Sequence, residues 1–254
     1  MVVLTKNSSN TLAQCLDAIR RNIDVARLIV LDDSNDGGKT MRIASELADQ
    51  VLVYPKNIGE KRDHAIDLVD TPVFAFVDSD VIVNRAAFLR SLEMLLNDDL
   101  VAAVANAIVP VDPRLRSIAR QRTQWSNLKF GFALLRTSVL RKSRIPLIPF
   151  GEDGRTGITL GKLGFKWSTQ SEYLCWHIMT LQENWFHGRR YARLGYSWIS
   201  PKKLPLVMVM NLFGIVYPVW VSRRRSLDSF VFCMFIMIGL IERISSGGWP
   251  LSVR

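Results

Sequence analysis

Cysteine is scarce in this chain. Its three residues, Cys15, Cys175 and Cys233, lie far apart and show no paired spacing. That argues against a disulfide framework or a cysteine zinc site, and a reducing cytoplasm fits. Glycine-rich phosphate loops are missing too. No Gly-x-Gly-x-x-Gly follows the first apolar run, and no Gly-x-x-x-x-Gly-Lys occurs. A dinucleotide oxidoreductase and a P-loop enzyme are therefore not expected, and a bound diphosphate would need a metal or basic side chains. There is no basic–aromatic RNA signature and no recognition-helix motif, so nucleic acid is not an expected partner. Met1 leads straight into Val2-Val3-Leu4, too short a run for an export signal.

Charge is present but unevenly spread. Residues 1–111 carry 11 basic and 16 acidic side chains, whereas residues 112–203 carry 17 basic and 5 acidic ones. An acidic half suited to a cation is thus joined to a basic half suited to phosphates or an anionic membrane surface. At 254 residues the chain can bury a real core, and 48% apolar residues with mean hydropathy +0.12 direct attention to a membrane segment.

The most informative stretch is Val73-Phe74-Ala75-Phe76-Val77-Asp78-Ser79-Asp80-Val81-Ile82. Its β-branched and aromatic run predicts a buried parallel strand. Alternation along that strand would project Asp78 and Asp80 to one side at its carboxyl end, where open α/β sheets place ligands. Two neighbouring carboxylates repel unless a cation or shared proton compensates, and one or two carboxylates plus a substrate phosphate are a common Mg²⁺ site. An Asp-rich turn is the plainer reading.

Upstream, Val2–Thr5, Arg27–Leu31 and Val51–Tyr54 read as strands. Helices are expected after Asn10 or Thr11, from Thr40 to Asp49 and from Glu60 to Leu68. Strand–helix alternation with polar strand ends indicates a doubly wound α/β sheet. Thr5-Lys6-Asn7, Asp33 and Asp78/Asp80 then face one crevice, and Lys61 and Arg62 can add positive charge for a diphosphate.

In this order and spacing, Val3-Leu4-Thr5-Lys6-Asn7, Leu31-Asp32-Asp33-Ser34, Asn57-Ile58-Gly59 with Lys61-Arg62, and Phe76-Val77-Asp78-Ser79-Asp80 together resemble a family 2 glycosyltransferase of the GT-A fold. The resemblance implies a Rossmann-like doubly wound mixed sheet and a nucleotide-sugar donor. Asp33 would accept a hydrogen bond from the base, which favours uracil or guanine because adenine offers only an acceptor at that ring position. Asp80 would bind Mn²⁺ or Mg²⁺ on the diphosphate, and Asp78 would lie near the ribose or the metal. Thr5, Lys6, Asn7 and Ser79 would join the donor contacts.

Further on, Phe130–Arg136 is similar to the family's acceptor-side strand. Gly151-Glu152-Asp153 and Gly161–Lys166 look like its Glu-Asp motif and the segment after it. The resemblance makes Asp153 the general base of an inverting transfer, since a sugar hydroxyl is a poor nucleophile without one. A capping pair at a helix start is the structural alternative, and both can hold. Gly154-Arg155-Thr156-Gly157 depart from the family's acidic or aromatic pattern, which leaves the acceptor unassigned. His177 falls where relatives place a metal- or phosphate-contacting histidine, although a lone histidine among apolar residues also suits a core. His187 suits an interfacial or phosphate contact, and His64 a structural place. The Gln-x-x-Arg-Trp motif of processive synthases is absent, so transfer of a single sugar is expected.

Residues 204–222 carry no charge, and at 1.5 Å per residue they reach about 28 Å. Residues 229–241 reach only about 20 Å, and Arg223-Arg224-Arg225 lie between the two runs. A C-terminal hydrophobic helical hairpin, re-entrant or interfacial, is expected, with its basic residues at the cytoplasmic headgroups. The expected organisation is a catalytic domain over 1–203, split near 111 into donor and acceptor halves, and a membrane-associated segment over 204–254. The acceptor is expected to be lipid-linked or a glycan. The alternatives are a haloacid-dehalogenase-like phosphatase using Asp78 and Asp80, or a non-catalytic sugar-binding protein.

Overall fold

All four residues of β1 (Val2–Thr5) are buried, because the strand is covered on both faces. In this computed structural model, residues 1–112, 129–149 and 151–178 are described, together with Met234, Ile238, Ile241 and Glu242. The chain divides into two compact units, Met1–Val111 with Ala119–Ile178, and Asp112–Ile118 with Met179–Arg254. The elements below belong to the first.

After β1 come α1 (Leu12–Asn22), β2 (Ile29–Asp32), α2 (Lys39–Leu47), β3 (Gln50–Val53), α3 (Ile58–Leu68) and β4 (Val73–Asp78). Then follow β5 (Val81–Ile82), α4 (Arg85–Leu96), β6 (Val101–Pro110), β7 (Phe132–Arg136), α5 (Thr137–Ser143), α6 (Glu152–Lys162) and β8 (Lys166–His177). The strands form one sheet in the order β3-β2-β1-β4-β7-β6-β8-β5. The first four are mutually parallel; β7 runs antiparallel to both β4 and β6, so the sheet is mixed as expected.

Alternation along the strands feeds two cores. Val3, Val30, Ala75 and Val77 pack on one face with Leu12, Leu16 and Ile19 of α1. Val2, Leu4, Leu31, Phe74 and Phe76 pack on the other with Ala65 and Ile66 of α3 and with Leu140. Each such large side chain contributes roughly 1.5–3 kcal/mol by its burial. Arg20 and Arg21 end α1, where positive charge suits the helix dipole.

The helix α3 begins two residues earlier than the glutamate at 60. Asn57 accepts from the Glu60 N–H, and the Glu60 side chain accepts from the Asn57 N–H, a complete capping box. The strand expected to carry both Asp78 and Asp80 at its carboxyl end stops at Asp78. Its N–H donates to the Gly131 carbonyl at 2.8 Å, Ser79 and Asp80 turn, and Val81–Ile82 pair instead with Trp176 and His177 of β8.

His187 and, apart from Met234, Ile238, Ile241 and Glu242, the expected C-terminal hairpin lie outside the described residues. Among the described residues, no helix is long and apolar enough to cross a membrane.

Candidate active site

The chain winds outward from β1 through β2 to β3, then returns to the other side of β1 as β4. The crevice outside the carboxyl ends of β1 and β4 is therefore a topological switch point, the usual ligand site of an open sheet. The loops after these strands meet there, with the Ser8 and Ser79 hydroxyls 2.8 Å apart.

Thr5 and Asn7 build the floor of the crevice. The Thr5 hydroxyl donates to buried Asp32 at 2.5 Å, and Ser34 donates to the same Asp32 oxygen at 2.6 Å. Asn7, in the left-handed region at φ 54, ties the first loop to the second. Its N–H donates to Ser34 at 2.7 Å, and its side chain exchanges hydrogen bonds of 2.8 Å with Asn35. This lattice fixes the start of the Asp33 loop, whose N–H donates to the Thr5 carbonyl at 3.1 Å.

Asp33 faces outward between two ammonium groups. Lys6 donates to its Oδ2 at 2.9 Å, and Lys61 Nζ lies 3.6 Å from the same oxygen. Lys61 is buried and also donates to the Thr5 carbonyl at 3.3 Å. Burial pulls its pKa below the ordinary amine value, and the Asp33 charge opposes that pull. Lys61 is thus a counter-charge to Asp33.

Arg62 is 3% exposed and sits between two carboxylates. It donates to Glu152 from Nη1, and to Asp78 Oδ1 from Nη2 at 2.9 Å. Its guanidinium lies over the Phe130 and Phe76 rings, 5.1 and 5.7 Å from their centroids. Burial lowers its pKa, but Glu152 and Asp78 more than offset this and hold it above the ordinary value. Burial also pushes the Asp78 carboxyl up, against Arg62, while Asp80 and Asp153 add to the rise. The two donor-side carboxylates and Asp153 therefore share one electrostatic neighbourhood. Gly131 lies opposite in a tight place: a Cβ would stand 3.0 Å from Ile108 Cδ1 and 3.3 Å from Asp78 Oδ2, so those side chains would have to give by a few tenths of an ångström.

Asp80 points to a different partner. Its Oδ2 lies 2.9 Å from His177 Nε2, and the β5–β8 pairing holds the two together through the Ile178 N–H, which donates to the Asp80 carbonyl at 2.8 Å. Its other oxygen, Oδ1, is buried with no hydrogen-bond partner among the described residues. Among the described residues no cluster of three acidic, histidine or cysteine side chains forms a closed cage. A cation that keeps waters and takes substrate phosphate oxygens needs no such cage. An orphaned carboxylate oxygen with an imidazole beside it fits that open kind of site, with Asp80 as ligand, His177 next to it and Asp78 engaged by Arg62.

Asp153 is the second residue of α6, whose N-cap is Gly151 at φ 77. Its Oδ1 accepts from the Gly154 N–H at 2.7 Å, and no described residue donates to its Oδ2. Glu152 and Asp153 both lie in the first helical turn, so the dipole favours both charges. They face opposite tasks: Glu152 is buried on Arg62, and Asp153 is only half-buried.

The structure thus brings Asp33, Asp78, Ser79, Asp80, His177 and Asp153 around the carboxyl ends of the central strands. Lys61 and Arg62 lie there too, but both sit buried against carboxylates rather than open to an incoming diphosphate. His64 stacks on Tyr54 at 4.4 Å, away from this chemistry. Sequence reasoning did not single out Asp32, Ser8 or Gly131 as site residues, nor Glu152 as a partner of Arg62. An acidic pair after a glycine was the one local signal for Glu152.

A mixed sheet with a switch-point crevice lined by carboxylates defines an open α/β fold with a ligand site at the carboxyl ends of its strands. The glycosyl transferase family 2 sequence model matches residues 1–147, and the chain belongs to that family. It is a glycosyltransferase, which sets the phosphatase alternative aside. Solved structures share the fold. The mannosyltransferase PcManGT from Pyrobaculum calidifontis, in complex with GDP-Man and Mn²⁺, is 14% identical with a TM-score of 0.66, over 96% of this chain and 86% of its own. The glucosyl-3-phosphoglycerate synthase from Mycobacterium tuberculosis, in complex with Mn²⁺, UDP-glucose and phosphoglyceric acid, is 20% identical with a TM-score of 0.57, over 76% and 75%. S. aureus TarS 1-349 is 14% identical with a TM-score of 0.55, over 100% and 92%. No curated protein matches the chain.

Proposed function

We propose that this glycosyltransferase takes its sugar from a UDP- or GDP-sugar with Mn²⁺ or Mg²⁺ and passes it, with inversion, to a lipid-linked acceptor at the cytoplasmic face of the cell membrane. The observation that carries the donor half is Asp80, whose Oδ1 is buried and unpartnered while His177 stands on Oδ2. Similar folds solved with Mn²⁺ and GDP-Man or UDP-glucose support the same reading.

In this reading Asp33 accepts the ring N–H of uracil or guanine, and Lys6 and Lys61 hold its carboxylate in place. A divalent cation at Asp80, with Asp78 and His177 beside it, would offset charge on the leaving diphosphate. Asp153 Oδ2 takes the proton of the acceptor hydroxyl as its oxygen bonds the anomeric carbon. The bond from that carbon to the diphosphate oxygen breaks on the opposite side, and its electron pair leaves with the nucleoside diphosphate.

The acceptor reading rests on the excess of basic over acidic side chains in residues 112–203 and on the uncharged run 204–222. Residues 1–203 would then be catalytic and 204–254 membrane-associated. Titration calorimetry with UDP and GDP, with and without Mn²⁺, tests the donor half. Absence of any metal-dependent nucleotide binding overturns it. Limited proteolysis of sealed vesicles at Arg223–Arg225 tests the membrane placement, which cleavage from the outer side alone would overturn.

A further inference from the structure

We infer that Arg62 is a positioning residue that couples the donor carboxylates to the helix bearing the base, so that a change at Glu152 alters donor affinity through Arg62. The inference rests on the donor and base assignments above and deepens them. Arg62 enters from α3, and its two carboxylate partners come from separate elements: Asp78 ends β4, and Glu152 begins α6. One guanidinium reaches both, donating from Nη2 to Asp78 and from Nη1 to Glu152. The planar fork of arginine permits this, whereas a lysine ammonium is a single point that cannot span both carboxylates in the same geometry.

Three features make the bridge more than a surface contact. Arg62 and Glu152 are each 3% exposed, so neither can exchange its partner for water. The Phe130 and Phe76 rings hold the guanidinium plane, and Phe130 precedes Gly131, whose carbonyl receives the Asp78 N–H. Glu152 is followed directly by Asp153. Moving the start of α6 therefore moves the base, and moving Arg62 redistributes positive charge between Asp78 and Glu152. A buried cation shared by two anions is more strongly committed to each when the other is removed. Loss of the Glu152 charge leaves the Arg62 charge on Asp78 alone, which makes Asp78 a poorer partner for a cation or a ribose.

A double-mutant cycle on Mn²⁺-dependent UDP and GDP affinity tests this in the full chain. Wild type, Glu152→Gln, Arg62→Lys and the double variant are compared by calorimetry, with thermal melts to establish that each is folded. Glu152→Gln is expected to weaken nucleotide binding about fivefold or more in the presence of Arg62, and less than about twofold in the Arg62→Lys background. Should Arg62→Lys fail to fold, Arg62→Met with Glu152→Gln removes both charges together, and its comparison with Glu152→Gln alone completes the test. Equal factors in the two backgrounds, or an unchanged affinity in folded Glu152→Gln, overturn the coupling while leaving the donor site intact. A wild type that binds neither nucleotide overturns the donor reading itself, and the coupling with it.

Discussion

His177 Nε2 stands 2.9 Å from Asp80 Oδ2, while Asp80 Oδ1 is buried without a partner among the described residues. A buried carboxylate oxygen left unsatisfied costs free energy that a cation would recover. Asp80→Asn is therefore expected to lose metal-dependent UDP and GDP binding, and a chelator is expected to bring wild type to the same level. Restoration by Mn²⁺ in wild type but not in the variant checks it. Equal nucleotide affinity with and without chelator would sink the assignment.

The histidine has a separable effect. Groups that orient a metal ligand typically contribute 10- to 100-fold in metal affinity. His177→Ala should raise the Mn²⁺ concentration for half-maximal nucleotide binding by about that factor, with binding recovered at saturating metal. An unchanged Mn²⁺ requirement would make His177 a spacer on β8.

Asp153→Asn separates binding from chemistry. Asparagine keeps the shape and the acceptor for the Gly154 N–H, but it cannot take a proton. Turnover should fall roughly 10²–10⁴-fold while nucleotide affinity stays near that of wild type. A parallel loss of affinity would move Asp153 from the acceptor side to the donor site.

Much of this arrangement is local and so was readable from the chain. The buried aliphatic runs of β1, β2 and β4 each end in a polar residue, which places Asp33, Asp78 and Asp80 at one edge before any coordinates are known. The environments of these residues are another matter. Strict alternation assigns Asp78 and Asp80 to one side, but the strand ends at Asp78 and the turn sends Asp80 to His177. Lys61 and Arg62 read as free cations because charge normally marks exposure. Their burial depends on α3 turning that face to the sheet and, for Arg62, on a carboxylate ninety residues away. No local pattern encodes that distance.

Gly59 illustrates how packing reverses an intrinsic preference. Alanine in a helix is normally about 1 kcal/mol better than glycine. Here a Cβ at 59 would press on the Pro146 carbonyl oxygen and stand 2.5 Å from the Ile148 oxygen, both rigid backbone. Overpacking of this kind costs about 1–3 kcal/mol, so Gly59→Ala is expected to lower the Tm by several degrees. A Tm equal to or above wild type would show that the 146–148 segment yields freely.

The bridge from Arg144 to α3 predicts a pH dependence. Its hydrogen bond holds the Asp67 carboxyl below the ordinary carboxylate range. A folded-state pKa lowered in this way adds stability above the unfolded value of about 3.9, and that stability disappears as pH falls through the folded value. Asp67 is partly exposed and screened, so Arg144→Gln should cost less than about 1 kcal/mol through this pair. Urea midpoints should differ between the variant and wild type at pH 7 and converge near pH 2. A difference that persists in acid would assign the effect to packing.

In the proposed donor site, Asp33 would decide which base is accepted. Lys6 and Lys61 hold its carboxylate, an acceptor that pairs with a ring N–H of uracil or guanine but not with adenine, which offers only an acceptor there. A hydrogen bond to a charged group is worth about 1.5–3 kcal/mol. Asp33→Ala should therefore weaken UDP or GDP roughly 10- to 150-fold and leave the weak binding of ADP and pyrophosphate unchanged. Removal of the carboxylate also strips buried Lys61 of its counter-charge, so some loss of Tm accompanies the change. The discriminating quantity is the ratio of the preferred nucleotide to ADP, which a general loss of stability does not alter. If that ratio survives in Asp33→Ala, the base is read elsewhere and Asp33 serves only to fix Lys61.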